Sequence, residues 1–235
     1  MSDIRGLLFD KDGTLLDFNA TWLPFAKAQA LKAAAGNEAL ASALLVMTGY
    51  DPRCGTFLPG SVMAAGSGRQ VTQTLYPHLS GRELDVIVAR LDRDAAAHLK
   101  SFAVMIGGAS ATLRTLHAAG YLLGIATNDS EHGAHQSLDV MGVGDLFAGV
   151  LGYDSVANPK PAPDMLHAFA EATGLKPHEI AVIGDNSHDL DMARAGEAGL
   201  AIGVLSGNGT REALEPLADV ILASVADLPS HLGVI

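Results

Sequence analysis

Five short apolar runs, each ending at glycine or polar residues, recur along the chain. The runs are Gly6 to Phe9, Tyr121 to Ala126, Phe147 to Gly152, Ile180 to Ile183, and Leu200 to Leu205. Each run is too short for a helix and is typical of a strand buried on both faces of a parallel sheet. The stretches between the last four runs carry apolar residues at helical spacing, such as Leu138 with Met141. This alternation predicts an α/β fold built on a doubly wound parallel sheet.

The connection between the first two runs is much longer than a simple crossover, and its sequence is typical of helices. Residues 20–35 and 38–47 have helical apolar spacing. Ser80-Gly81-Arg82-Glu83 has the spacing of a capping box, which predicts the start of a further helix. Residues 50–68 are rich in turn residues and predict a loop.

This long connection sets the expected division into domains. We expect a helical domain over residues 18–98, inserted after the first strand. The catalytic core would then consist of residues 1–17 and 99–235. The apolar stripes of the insertion are interpreted most simply as a core of its own.

Charge and composition exclude several classes of partner. The 235 residues include 15 Lys plus Arg and 26 Asp plus Glu, a formal net charge of −11, which repels nucleic-acid phosphates and anionic lipid. No segment approaches the roughly 18 uninterrupted apolar residues of a membrane span. Met1 to Arg5 lack the basic and apolar regions of a secretory signal, and the single cysteine, Cys54, cannot form an internal disulfide. We therefore expect a cytoplasmic protein that binds neither nucleic acid nor membrane. The sequence leaves its oligomeric state open, and a monomer or weak homodimer is the expectation.

Polar motifs follow the predicted strands. They are Asp10-Lys11-Asp12-Gly13-Thr14, Thr127-Asn128-Asp129, Lys160-Pro161, and Gly184 to Asp189. In open parallel sheets, ligands bind beyond the carboxyl ends of the strands. Carboxylates, a hydroxyl and a lysine are therefore expected to converge on one edge of the sheet, a pattern typical of an active site.

The residue types at this edge favour phosphoryl chemistry. Asp10 and Asp12 share a face and disfavour joint ionisation, so one of their pKa values should be raised. We expect an ionised Asp10 as nucleophile and a protonatable Asp12 as acid and base. Asp10 and Asp185 would supply the few carboxylates that Mg²⁺ prefers. Lys160 would offset the charge of a phosphate, and Thr127 with the following backbone amides would bind it at a helix start.

The four motifs, with Lys160-Pro161-Ala162-Pro163 as the third, resemble those of the haloacid dehalogenase-like superfamily, specifically its phosphoglycolate phosphatase-like branch. The resemblance implies a Rossmann-like core in which Asp10 forms an aspartyl-phosphate. Asp12 would protonate the leaving group and then activate water. Mg²⁺ would be held by Asp10, Asp185 and the main-chain oxygen of Asp12, and Asp189 would orient a metal-bound water.

The resemblance also assigns phosphate and substrate contacts. Thr127 and Lys160 would hold the phosphoryl oxygens. Apart from the resemblance, Asn128 is a candidate either for contacting phosphate or for shaping the turn. The insertion resembles the helical cap of this branch, which closes over small substrates and excludes water. Arg53, in this insertion, is a candidate for binding a substrate carboxylate, although a surface arginine is the simpler interpretation.

These expectations describe a Mg²⁺-dependent phosphatase acting on a small phosphorylated metabolite, phosphoglycolate-like or a sugar phosphate. Two alternatives stay open: a sugar phosphomutase on the same scaffold, and a non-catalytic regulatory protein that stores a phosphoryl group. Dehalogenases of the superfamily lack the aspartate at position 12, and its ion-pumping ATPases carry threonine there, so Asp12 counts against both.

Several other polar residues receive structural interpretations. His132 and His135 are three residues apart and are interpreted as part of an exposed helix face. His188 is interpreted as structural, Cys54 as inert, and Gly207-Asn208-Gly209 as a turn.

Overall fold

The computed structural model describes residues 4–234 of the chain. Residues 1–3, which belong to the segment searched for a secretory signal, and residue 235 lie outside the described residues. The strands are β1 (Gly6–Phe9), β2 (Tyr50–Asp51), β3 (Thr56–Phe57), β4 (Leu122–Ala126), β5 (Phe147–Leu151), β6 (Ile180–Gly184), β7 (Leu200–Val204) and β8 (Val220–Leu222). The helices are α1 (Phe18–Ala33), α2 (Glu38–Met47), α3 (Val62–Ala65), α4 (Gly68–Leu75), α5 (Gly81–Phe102), α6 (Ala109–Ala118), α7 (Glu131–Met141), α8 (Asp164–Thr173), α9 (Ser187–Ala195), α10 (Arg211–Leu214) and α11 (Leu228–His231). Short 3₁₀ helices cover Gly144–Leu146, Pro177–Glu179 and Val225–Asp227.

The central sheet has six parallel strands in the order β5-β4-β1-β6-β7-β8. The predicted α/β fold is therefore confirmed, and each of the five apolar runs forms a strand. Strand β8 was not predicted, because its three half-buried residues form no apolar run of strand length.

Side chains of β1 alternate between two apolar layers, as burial on both faces requires. Leu7 and Phe9 belong to one buried cluster with residues of α6, α7 and α11, whereas Leu8 belongs to another with residues of α8, α9 and α10. Helices thus cover both faces of the sheet, and the polar motifs are left at its edge.

The chain between β1 and α6 forms α1 to α5 and a small hairpin. Helix α2 has the predicted bounds, and α1 lies two residues earlier than predicted at each end. The loop predicted over residues 50–68 is wrong in part, because β2 pairs antiparallel with β3 and α3 follows. The turn residues in this segment form the hairpin turn and the ends of α3 rather than one continuous loop.

The predicted capping box at Ser80 is wrong in its hydrogen bonds. Helix α5 does begin at Gly81, but the Ser80 side chain makes no capping hydrogen bond. Gly81 has φ +51°, so the chain enters the helix from the left-handed region and the Ser80 side chain is not aligned with the first helical amides. Helix α5 continues to Phe102, through the boundary expected between residues 98 and 99.

The insertion does not have the separate apolar core that the sequence suggested. Its buried residues, such as Trp22 and Leu91, belong to the same cluster as Leu7 on one sheet face. Leu15 and Leu16, both fully buried between β1 and α1, make this cluster continuous. Among the described helices, none combines the length and apolar character needed to span a membrane.

Candidate active site

Three predicted site residues directly follow the last residues of neighbouring strands. Asp10 follows β1, Thr127 follows β4 and Asp185 follows β6. Because β4, β1 and β6 are adjacent and parallel, these side chains meet at the carboxyl edge of the sheet. The Asp10 amide donates to the Ile183 carbonyl oxygen at 2.8 Å, which extends the β1–β6 ladder to the site.

Lys160 connects two of the carboxylates. Its Nζ donates to Asp10 Oδ1 at 2.7 Å and to Asp189 Oδ1 at 2.6 Å, and the lysine side chain is fully buried. Asp189 lies in the first turn of α9, where its other oxygen accepts from the Asn186 amide at 3.0 Å. Lys160 therefore joins the end of β1 to the start of α9.

Asp10, Asp185 and Asp189 form the acidic centre of the site. One oxygen from each lies within 4.8 Å of the others, and all three residues are buried. With all three carboxyls ionised, as a bound cation would favour, and with the paired Lys160 counted, the excess charge is −3 + 1 = −2. Oxygen donors with this excess charge fit a small divalent cation.

Burial and mutual repulsion shift the pKa values of these carboxyls. Burial raises the pKa of Asp10 to about 7 despite the opposing effect of Lys160, and neighbouring carboxylates add to the rise. Burial and the charges of Asp10 and Asp189 raise the pKa of Asp185 well above its usual range. For Asp189, burial is outweighed by His188, Lys160 and hydrogen bonds, and its pKa is lowered. A bound cation would favour the ionised forms of Asp10 and Asp185.

The Asp12 carboxylate lies apart from this centre and has its own partners. Lys11 Nζ donates to Asp12 Oδ2, and the Trp22 indole nitrogen donates to Asp12 Oδ1. Lys11 is fully buried and also lies 3.2 Å from Asp129 Oδ2. Burial alone would lower the pKa of Lys11, but Asp12 and Asp129 outweigh it and raise that pKa. The carboxyl of Asp12 is thus held by one cation and one indole.

Thr127 is buried at the predicted strand end. The sequence predicted a helix start at this residue, and that prediction is wrong. Helix α7 starts at Glu131, and the Ser130 side chain caps it by accepting from the Gly133 amide. The Asp129 amide donates to Thr127 Oγ1 at 3.1 Å. Four residues turn the chain before α7, so these amides bond to side chains instead of opening a helix.

Asn128 connects the core to the insertion. Its Nδ2 donates to the main-chain oxygens of Ala65 and Lys160, both at 3.2 Å. Its Oδ1 is buried without a hydrogen-bond partner among the described residues. The side chain therefore shapes the turn, and its amide group has a free acceptor at the site.

The segment Gly207-Asn208-Gly209 is more than the simple turn that the sequence suggested. The Asn208 amide donates to Asp185 Oδ2 at 2.9 Å. A Cβ atom at Gly207 would lie 2.0 Å from that same oxygen, so only glycine allows this approach. The loop after β7 therefore holds the Asp185 carboxylate in place.

Other candidate residues lie outside this centre or at its margin. Arg53 is highly exposed, bonds both oxygens of its neighbour Asp51, and does not line the cavity described below. His132 and His135 are exposed on α7, as interpreted, and Cys54 is exposed. His188 lies 3.4 Å from Asp189 Oδ1, and burial lowers its pKa to about 4.

A cavity of about 110 Å³ separates the acidic centre from the insertion. The core contributes polar side chains to it: Asp10, Asp12, Thr127, Asn128, Asp129, Asp185 and His188. The insertion contributes mainly apolar side chains from α1, α3, α4 and α5. The site can thus hold a small molecule with one polar end facing the strand edge.

Sequence reasoning missed Lys11, Trp22 and Asp129 as site residues. Lys11 and Asp129 lie inside the motifs, and their adjacency to Asp12 and Thr127 was the available signal. Trp22 lies in the insertion, and nothing in the sequence pairs it with Asp12. Its contribution depends on how α1 packs against the strand edge.

Comparison with known proteins gives a consistent family assignment. A family model described as haloacid dehalogenase-like hydrolase matches residues 4–197. A phosphoglycolate phosphatase from Escherichia coli K12 is 30% identical over 240 residues, which cover 98% of this chain and 93% of the relative. The pyrophosphatase PpaX from Halalkalibacterium halodurans is 26% identical over 238 residues, covering 99% of this chain and 98% of the relative.

Solved structures show the same fold. The crystal structure of a predicted phosphoglycolate phosphatase from Haemophilus somnus superposes with a TM-score of 0.77. It covers 99% of both chains at 21% sequence identity, so it supports the architecture alone.

Proposed function

The chain belongs to the haloacid dehalogenase-like hydrolase family, and from this premise we propose that it is a Mg²⁺-dependent phosphatase that hydrolyses a small phosphomonoester through an aspartyl-phosphate on Asp10. The observation that carries this proposal is the assembly of Asp10, Lys160, Asp185 and Asp189 at one strand edge. These residues come from three separate motifs. The names of the relatives, a phosphoglycolate phosphatase and a pyrophosphatase, support phosphoryl chemistry at this edge.

In the first half-reaction, an Asp10 carboxylate oxygen attacks the phosphorus atom. The ester P–O bond breaks, and its electron pair stays on the oxygen of the leaving alcohol. Asp12, whose carboxyl also lines the cavity, gives that oxygen its proton. Lys160 donates to Asp10 and so keeps its carboxylate oriented before the attack.

In the second half-reaction, water attacks the phosphorus atom of the aspartyl-phosphate. Asp12, now ionised, accepts a proton from that water. The bond between phosphorus and the Asp10 oxygen breaks, which releases inorganic phosphate and restores the carboxylate. The indole of Trp22 and the ammonium of Lys11 orient Asp12 in both steps.

We assign the metal site to Asp10, Asp185 and the main-chain oxygen of Asp12, with Asp189 beside it. The fit rests on the excess charge of −2 that the three buried carboxylates and Lys160 leave. A bound Mg²⁺ would neutralise phosphoryl charge and favour the ionised form of Asp10. Asp185 is already oriented by the Asn208 amide.

Phosphate binding is assigned to Thr127, Lys160 and Asn128. Thr127 and Asn128 line the cavity beside Asp10, which supports contact with phosphoryl oxygens. Lys160, 2.7 Å from Asp10 Oδ1, contributes positive charge next to the nucleophile.

The remaining parts of the proposal concern partners and setting. A cavity of about 110 Å³ suits a small phosphorylated metabolite. The division into a core and a cap over residues 18–98 stays a prediction, as does a monomer or weak homodimer. The cytoplasm is the compartment we propose, since the one cysteine makes no internal disulfide.

Release of inorganic phosphate tests this proposal. Wild-type protein should release phosphate from p-nitrophenyl phosphate with Mg²⁺, and neither EDTA-treated protein nor Asp10→Asn should do so. Steady release also separates a phosphatase from the two alternatives, because a mutase returns the phosphoryl group to its product and a storage protein retains it. Metal-independent release, or release by Asp10→Asn within about tenfold of wild type, would contradict the proposal.

A further inference from the structure

The insertion covers the cavity with an apolar wall. Its large side chains there are Phe18, Trp22, Phe25, Met63, Val71 and Leu91. The leaving group of a phosphomonoester bound at Asp10 would face this wall, because the strand edge lies on the opposite side. The wall therefore determines which alcohols are accepted.

Asp92 on α5 is the one ionisable side chain that the insertion adds to the described lining. Its Oδ2 accepts a hydrogen bond from the Tyr153 hydroxyl at 3.3 Å, which fixes its position against the core. Burial, together with the charge of Asp129, raises the pKa of Asp92 to about 6. A cation beside Asp92 would stabilise its ionised form, which burial and the charge of Asp129 disfavour.

No basic side chain is available to an anionic leaving group in the described lining. The two lysines of the site are already paired, Lys11 with Asp12 and Asp129, and Lys160 with Asp10 and Asp189. No lysine or arginine is among the described residues that line the cavity. His188 lines it, but its Nε2 lies 3.4 Å from Asp189 Oδ1, so this ring is already placed beside a carboxylate.

These contacts predict which charge on the leaving group the apolar wall and Asp92 favour. A carboxylate on the leaving group would lose water, meet apolar side chains and approach Asp92 without a counter-charge. An ammonium group would instead pair with Asp92 and be attracted to nearby aromatic rings. The apolar side chains would pack against the carbon chain in either case.

We propose that the substrate is a phosphomonoester of an amino alcohol, whose ammonium group binds at Asp92, and that esters of hydroxy acids are poor substrates. This inference rests on the proposed phosphatase function and names its substrate class. It sets this chain apart from relatives named phosphoglycolate phosphatase, whose substrate name denotes a carboxylate-bearing leaving group.

Three esters of similar size test the inference by charge alone. O-phosphoethanolamine, ethyl phosphate and 2-phosphoglycolate carry a positive, a neutral and a negative leaving group. We expect kcat/KM to fall in that order, with a difference of at least about tenfold between the first and the last. Equal rates, or faster hydrolysis of 2-phosphoglycolate, would overturn the inference.

Variants on α5 assign the effect to Asp92. Asp92→Asn should lower the ratio of kcat/KM for O-phosphoethanolamine over ethyl phosphate by about tenfold. Asp94→Asn, on the same helix but outside the cavity, should leave that ratio unchanged. An unchanged ratio in Asp92→Asn would overturn the assignment.

Binding separates failure of this inference from failure of the proposed function. Calorimetric titration of Asp10→Asn with the three esters and Mg²⁺ should give the same order of affinities. If none of the esters nor p-nitrophenyl phosphate is hydrolysed, the phosphatase proposal fails, and the order of affinities shows only whether the cavity prefers ammonium-bearing phosphate esters. If p-nitrophenyl phosphate is hydrolysed but 2-phosphoglycolate binds most tightly, only the substrate class is wrong.

Discussion

The Trp22 indole nitrogen donates a hydrogen bond to Asp12 Oδ1, so a side chain of the insertion holds a carboxylate of the first motif. Trp22 is 6% exposed and lies on α1, whereas Asp12 follows β1 by three residues. The contact joins the two parts of the molecule at the group assigned to proton transfer. Closure of the insertion would thereby orient the acid and base.

Loss of this hydrogen bond should slow hydrolysis of esters with poor leaving groups. In Trp22→Phe, we expect kcat/KM for ethyl phosphate to fall by up to roughly tenfold, since the acid loses the hydrogen bond that orients it and such a bond contributes about 0.5–1.5 kcal/mol. The value for p-nitrophenyl phosphate should change little, because its leaving group needs no proton. Phe18→Leu alters the same wall without a bond to Asp12 and serves as the control. Equal losses for both esters in Trp22→Phe would show a merely structural effect.

Removal of the buried lysine of the first motif should destabilise the fold. Lys11→Met leaves Asp12 and Asp129 without their cation, and breaking a buried ion pair costs about 3–5 kcal/mol. Lys32→Met removes an exposed pair with Asp94 and should cost no more than about 1 kcal/mol. Urea unfolding at pH 7.5 measures both changes in the free energy of unfolding. Similar values for the two variants would contradict the role given to Lys11.

The Mg²⁺ requirement should depend on Asp185. In Asp185→Asn, the Mg²⁺ concentration for half-maximal activity should rise at least about tenfold. Mg²⁺ should raise the melting temperature of wild type and of Asp145→Asn, an exposed control, but not that of Asp185→Asn. Without metal, Asp185→Asn should be the more stable protein at neutral pH, because burial and neighbouring carboxylates raise the pKa of Asp185. An unchanged requirement for Mg²⁺ would exclude Asp185 as a ligand.

The stability of the fold should vary with pH through Asp92. Its folded-state pKa of about 6 lies above its ordinary value of 3.8, so the fold favours the protonated form. The contribution of Asp92 to the free energy of unfolding is therefore fully present when the pH is below its ordinary pKa of 3.8. This contribution is lost as the pH rises through about 6. As the pH rises from 4 to 8, the free energy of unfolding of Asp92→Asn should thus increase by about 1 kcal/mol relative to that of wild type. This value is discounted because Asp92 is partly exposed.

Asp94 on the same helix gives the matched control. Its pKa is lowered because the hydrogen bond and charge of Lys32 outweigh burial, so its contribution is present at neutral pH and is lost on acidification. Asp94→Asn should therefore show a small change of the opposite sign. Parallel pH profiles for the two variants, from urea unfolding, would contradict the assignment for Asp92.

The sequence predicted well which residues meet at the carboxyl edge of the sheet, because parallel strands end on the same side of a sheet. Asp10, Thr127 and Asp185 could be placed from the apolar runs, since the first two directly follow a run and Asp185 follows one after a single glycine. The pairing of Lys160 with Asp10 was not predictable in detail, because it depends on the path of the chain between β5 and α8. The charge of a phosphate and the resemblance of the lysine motif suggested a cation at the site, but not its pairing with Asp10.

Errors in the sequence analysis arose where tertiary packing decides the outcome. The helix start after Thr127 was placed too early, although Ser130-Glu131 carries the capping signal. The apolar stripes of the insertion, to which Trp22 belongs, predicted a separate core, because an apolar stripe does not reveal which neighbour it packs against. Strand β8 has too few residues to show a pattern.

The central claim is that Asp10 carries the phosphoryl group during turnover, and trapping that intermediate tests it most directly. Asp12→Asn should still transfer phosphoryl from p-nitrophenyl phosphate, which needs no proton for departure, but should hydrolyse the phosphoenzyme slowly. Acid quenching followed by peptide mass spectrometry should then find the phosphoryl group on Asp10, and the label should be absent in the double variant with Asp10→Asn. A phosphoryl group on another residue, or turnover with none detected on Asp10, would contradict the account.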